Sequence, residues 1–256
     1  MNTKTLSAPA LSVIDQYLHL KVGSAVCTVP YFNNKIIKSR GALTALAGKG
    51  SPKEIYEEAE TLTMKAHIST HALADESLKK LLVDNNIGID CSGFVYYVLN
   101  TESKELGKGT VDKHIHFNNA HGFIRKFLAA VRPVQNTDVS TLSSEKNSKS
   151  ITPSEIHPGD MITMTDNAGD RDHILVVHQV EYQNFIPYKI HYSHSVAYPE
   201  DGIYGTGIKQ GVIEITDASK PIIEATWIEN GKHNLDNQLY LRARKSKTEL
   251  RRLKWM

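Results

Sequence analysis

Along this chain the spacing of apolar residues changes near the middle. In the first half they recur every three or four positions, the period of a helix with one buried face. Leu11, Ile14, Tyr17 and Leu18 predict an amphipathic helix over 8–20. Ile55, Ala59 and Leu62 predict another, and its start is written out in residue types. Ser51 is a side-chain cap, Pro52 suits the first helical position and Glu54 can close a capping box. A third helix is predicted from Asp75 or Ser77 to about Val83. A fourth, carrying Phe94, Val95, Val98 and Leu99, begins at or near Cys91, and a short one is predicted over about 122–131.

The second half reads differently. "DMITM", "HILVVHQVEY", "YKIHYSHSVAY", "GVIEIT" and "IIEATWI" are β-branched or aromatic runs separated by Gly, Asn, Asp and Pro. They predict strands of a mostly antiparallel sheet, with "LYLRAR" as a candidate last strand. Helices first and strands second define an α+β domain. Between the halves, 135–153 is rich in Ser, Thr and Asn and poor in large apolar residues, so an exposed mobile loop is expected there. The segment 21–50 is irregular and includes the basic stretch "KIIKSR".

Composition bounds the answer without deciding it. The chain has 256 residues, 40% hydrophobic and 23% charged, enough for a sizeable core. The net charge of +2 does not suggest a nucleic-acid-binding protein, and none is expected as a partner. Charge is unevenly spread: 241–256 hold seven Lys/Arg against one Glu, a local +6 that leaves −4 on the rest. The expected organisation is an N-terminal helical region over 1–85, a core over 86–245 and a basic tail over 246–256. Such a tail is normally solvated and can contact an anionic surface. No charged-then-apolar signal opens the chain, and no run approaches the roughly 20 apolar residues of a membrane span. The expectation is a cytoplasmic protein, with signal-less export as the alternative.

Two cysteines cannot build a disulfide framework. Cys27, in "SAVCTVPYF", reads as a core thiol; a Cys27–Cys91 bridge would silence Cys91. In "GIDCSGFVYYVLN" Cys91 opens a helix, where unsatisfied N–H groups and a partial positive charge favour a thiolate and can stabilise an oxyanion. A thiol nucleophile needs a base, usually a histidine held by a third polar group. His173 opens an apolar strand. In the next strand alternation puts Ile190, Tyr192 and His194 on one face and His191, Ser193 and Ser195 on the other, so only one of the two histidines can face His173. Asp90 is expected to cap the helix and Asp160, in "PGD", to fix a turn. The histidine pairs in "HIH" at 114–116 and "HYSH" at 191–194 lack the cysteines or carboxylates that would complete a metal site. The stretch "AGKGS" lacks the full phosphate-loop spacing. No metal or cofactor is expected.

"DCSGF", "PGDMITM", "DHILVVHQV" and "IHYSHS", in that order, resemble the NlpC-type cysteine peptidases, papain-like bacterial cell-wall endopeptidases. The matched segments are roughly 86–100 and 156–196. The resemblance implies a papain-like fold with the nucleophile-bearing helix packed on the sheet. It implies Cys91 as nucleophile, His173 as general base, and a third residue in the following strand, His194 first and His191 second. The backbone N–H groups of Cys91 and Ser92 would form the oxyanion site. Tyr31 would line the substrate site, with Asp90 and Gly93 beside it. The implied reaction is hydrolysis of a peptide or amide bond in peptidoglycan stem peptides through an acyl-enzyme. The alternatives are acyl transfer or deamidation on the same scaffold, or a non-catalytic domain that binds wall peptides or a partner. The stretch from Cys91 to His173 is longer than is usual for that family, and no wall-binding module accompanies it.

Overall fold

The computed structural model describes residues 2–33, 44–117, 131–166 and 172–256. The helix expected over 122–131 and the stretch "KIIKSR" fall almost wholly or wholly outside these residues. The helices predicted in the first half form where the capping residues place them. Helix α1 is Ala8–Leu18 and α2 is Pro52–Lys65. The Ser51–Glu54 capping box closes in both directions. Helix α3 is Asp75–Asp84 and α4 is Cys91–Glu105. The first 85 residues also carry strands: β1 (Asn2–Thr5) and the small hairpin of β2 (Leu20–Val22) and β3 (Ala25–Cys27).

The strand-forming half folds into the sheet it predicts. Its members are β4 (Ser148–Ile151), β5 (Met161–Thr165), β6 (His173–Gln183), β7 (Ile186–Val196), β8 (Gly207–Glu214), β9 (Thr226–Glu229), β10 (Lys232–His233) and β11 (Lys247–Leu253). They lie in the order β10-β9-β8-β7-β6-β5-β11-β4, all neighbours antiparallel. Strand β6 is shared along its length. His173–Val176 pairs with β5, and Gln179–Tyr182 pairs with β1.

Each face of the sheet has its own core. Ile174 and Val176 of β6 point to the side covered by α1, α2, α3 and α4, where Phe94, Val95, Val98 and Leu99 of α4 are fully buried. Leu175 and Val177 point to the other side, with Ile190, Tyr192, Ile213 and Trp227. Burial of each such side chain contributes roughly 1.5–3 kcal/mol. Glycine is required at Gly211, directly opposite Tyr192: a Cβ there would lie 2.1 Å from the Tyr192 hydroxyl.

Three expectations are corrected here. The segment 135–153 is not an exposed loop. It holds helices α5 (Pro133–Asn136) and α6 (Val139–Leu142) and strand β4, with Thr137, Thr141, Asn147 and Ser148 buried. Its polar side chains turn inward and bond the backbone: the Asn147 amide donates to the Thr141 and His116 carbonyls at 2.8 Å each. "LYLRAR" is not a strand but helix α7 (Gln238–Lys245), capped by Asn237 and buried through Leu239 and Ala243, four residues apart. Nor is 246–256 a basic tail. Strand β11 inserts between β5 and β4 with Leu250, Arg251 and Leu253 buried. Its cations are structural: Arg252 grips the Asp160 carboxylate through two bonds of 2.7 and 2.8 Å, and buried Arg251 binds the Ser148 hydroxyl and carbonyl and Glu145. No described helix is long and apolar enough to cross a membrane.

Candidate active site

Cys91 is the first residue of α4, and the stretch before it is held from several sides. Asp90 N–H bonds the Gly48 carbonyl, Ile89 N–H bonds that of Pro30, and Phe32 N–H returns to that of Ile89. The Ser195 hydroxyl of β7 donates to the same Ile89 carbonyl at 2.7 Å. Gly88 allows this approach, since a Cβ there would lie 2.4 Å from the Pro30 carbonyl oxygen. Asp90 caps the helix: its Oδ1 accepts from Gly93 N–H at 2.6 Å and from the Ser92 hydroxyl at 3.0 Å. Buried Lys49 completes the knot, its Nζ donating to Asp90 Oδ1 (2.9 Å), the Ser92 hydroxyl (2.6 Å) and the Thr137 carbonyl (2.9 Å). Asp90 is thus a capping and ion-paired residue, and Gly93 packs on Ile89 and Lys49, where a Cβ would meet side-chain carbons at 2.8 and 3.1 Å.

The histidines separate by strand alternation. His173 Nε2 lies 2.7 Å from His194 Nδ1, and both rings are buried. His191, on the other face, is bound through Nε2 to Glu181 at 2.7 Å, so it is not the partner of His173. Beyond His194 the row continues. His194 Nε2 meets Glu229 Oε2 at 2.7 Å, and the Tyr198 hydroxyl donates to Glu229 Oε1 at 2.7 Å. Glu229 had no sequence signal of its own. It reaches the row because Tyr192, Gly211 and Glu229 stand abreast on three neighbouring strands.

This row orients the protons. The Glu229 carboxylate only accepts, so His194 Nε2 carries a proton, and where that is the only ring proton its Nδ1 is the acceptor. His173 must then donate through Nε2, which leaves Nδ1 as its basic nitrogen. Burial acts to raise the Glu229 carboxyl, but the attraction and bond of His194 and the Tyr198 bond outweigh it and hold it below its ordinary range. Burial and then the Glu229 carboxylate push the Tyr198 phenol up, so it remains a donor.

Cys91 lies against the start of β6. The backbone N–H of Ile174, next to His173, reaches the Cys91 thiol and favours its anion, as do Lys49 and Arg242. These do not prevail. Burial, reinforced by Asp90, pushes the Cys91 thiol up to about 11, contrary to the thiolate expected from its helix position. Burial, then Arg242 and His194, hold the His173 imidazole well below its ordinary value. Both shifts favour a neutral thiol and a neutral imidazole. Tyr31 bridges through its backbone to Ile89, two residues before the thiol; burial, then Cys91, raise its phenol. Both cysteines are free. Among the described residues no group of His, Cys, Asp and Glu could hold a metal ion; His114 instead stacks on Trp255.

A buried thiol at a helix start, set against an antiparallel sheet with a row of two imidazoles and a carboxylate, defines an α+β protein of the thiol–imidazole class. Residues 77–198 match the model of the NlpC/P60 family, and the match supports an NlpC-type cysteine peptidase family. That family has the papain-like fold and is generally one of cysteine peptidases and amidases acting on peptidoglycan peptides. No curated protein and no solved structure matches the chain. Cys91, His173 and His194 lie inside the matched segment; Tyr31, Lys49, Glu229 and Arg242 lie outside it.

Proposed function

We infer that the protein is a cysteine hydrolase that cleaves a peptide or amide bond in peptidoglycan stem peptides. The observation that carries this is the hydrogen-bonded row His173–His194–Glu229, which leaves Nδ1 of His173 as its basic nitrogen, beside the residue whose N–H reaches the Cys91 thiol. In this reading Cys91 Sγ attacks the carbonyl carbon while His173 Nδ1 takes the thiol proton. The neutral resting pair means that proton transfer accompanies attack rather than preceding it. The oxyanion is stabilised by backbone N–H groups around Cys91 and Ser92. The imidazolium then protonates the leaving amine, and water hydrolyses the thioester with His173 again as base. His194 and Glu229 hold the ring in register throughout, as the carboxylate of a catalytic triad does. Tyr31 lines the substrate side.

The test is incubation with purified muropeptides, with products followed by mass spectrometry. Cleavage at a stem-peptide bond that disappears in Cys91→Ala supports the reading. Intact muropeptides, with Cys91-dependent deamidation or acyl transfer on another substrate, would reassign the reaction. Activity retained in Cys91→Ala would remove the nucleophile.

A further inference from the structure

A separate cavity of about 830 Å³ opens where β3, the first two turns of α3 and the start of β8 meet. Cys91, His173, His194 and Glu229 do not line it. Its volume falls within the range of small-molecule sites. Apolar wall from Leu18 and Ile208 alternates with charge of both signs: Lys79 and Lys209 on the one hand, Asp75 and Glu76 on the other.

Lys79 is the unusual member. It is partly buried, and its Nζ donates to two carbonyls, Thr28 at 2.7 Å and Thr206 at 2.5 Å. These neutral acceptors take two of its three N–H groups, and no carboxylate lies within ion-pair distance among the described residues. A desolvated cation without an anion is costly, and a bound anion would relieve that cost. The state of the amine agrees: burial lowers Lys79 to about 8, and Lys209 adds to the lowering against the opposing pull of Cys27. Asp75 uses Oδ1 on the Val26 N–H at 2.7 Å, and Glu76 is exposed. A ligand amine can meet both carboxylates at the first turn of α3.

We propose that this cavity binds a short zwitterionic peptide, with its terminal carboxylate on Lys79 and its amino group toward Asp75 and Glu76. The site is distinct from the Cys91 site and stands whether or not that site hydrolyses peptides.

The experiment titrates the full chain with the dipeptide Ala-Leu, its C-terminal amide and its N-acetyl form, by calorimetry. Ala-Leu is expected to bind at least tenfold more tightly than either blocked form, and Lys79→Gln to weaken it at least tenfold. In the unsubstituted protein, NMR of the Lys79 Cε should show its titration midpoint rising by about one unit or more at saturation, as an anion within contact distance requires. That measurement needs no variant and so does not depend on how Lys79→Gln folds. Equal binding of acid and amide, no binding at all, or an unmoved Lys79 midpoint would overturn the proposal. So would loss of binding after alkylation of Cys91 in a Cys27→Ala chain that binds Ala-Leu before alkylation, which would assign the dipeptide to the Cys91 site instead; the background is needed because Cys27 lines the cavity.

Discussion

The Nε2 of His173 and the Nδ1 of His194 stand 2.7 Å apart inside the protein, and because Glu229 takes the other proton of His194, this one contact sets the tautomer of both rings. Replacing Glu229 with Gln keeps the volume but offers an amide N–H to His194 Nε2. The proton of His194 then moves to Nδ1, and His173 is driven to carry its own proton on Nδ1. Glu229→Gln is expected to lower kcat by on the order of 10²–10⁴, the scale seen when a triad carboxylate is lost to the wrong tautomer. Unchanged kcat in a folded variant would mean the row has no part in turnover.

The thiol should be quiet at rest. With Cys91 up at about 11 and His173 held neutral, labelling by iodoacetamide should climb through pH 9–11 without a plateau near neutrality. The measurement belongs in a Cys27→Ala background, because Cys27 is also raised to about 11 by burial. A labelling plateau below pH 7 would instead reveal a standing thiolate–imidazolium pair.

Lys49 is expected to matter for stability more than its charge suggests. Its ammonium joins Asp90, the Ser92 hydroxyl and the Thr137 carbonyl, and Lys49→Met would leave the Asp90 carboxylate buried without its cation. The expected cost is about 3–5 kcal/mol, read from urea unfolding. A loss under 1 kcal/mol would show that the helix cap alone holds Asp90.

Acid should unfold the protein partly through histidine. Burial, then His191, lower His178 from 6.5 to about 4. The native state therefore refuses a proton that the unfolded chain accepts, so stability is intact above pH 6.5 and falls as pH drops from 6.5 toward 4. His173 acts in the same direction. The His178 share is about 3 kcal/mol. His178→Phe should flatten the slope of unfolding free energy over that window; an unaltered slope would place the acid sensitivity elsewhere.

What could be read from residues alone follows a physical line. The capping box at Ser51–Glu54, the helix start at Cys91 and the choice of His194 over His191 are local patterns, set by hydrogen-bond chemistry and a period of two. The cap and the helix start are found where they were expected, and His194, not His191, is the imidazole bonded to His173. Glu229 was illegible because its meaning arises only when β7, β8 and β9 pair in register. Helix α7 is masked by three consecutive apolar residues, Leu239–Leu241, which mimic a strand; its helical marks are the cap at Asn237 and the Leu239–Ala243 spacing. The polar segment 135–153 and the cationic end looked solvated because composition does not reveal that Asn147, Ser148 and Arg251 would be bonded inside.

Strand β11 carries a last consequence. It fills the gap between β4 and β5, strands that lie some ninety residues earlier in the chain. During synthesis those two strands emerge with their shared neighbour still unmade, and the sheet beneath the thiol cannot close until residues 247–253 have left the ribosome. A chain stopped short of that point would carry the cysteine and both histidines in an open-edged sheet, so the finished fold, rather than any one residue, sets the moment at which they are brought together.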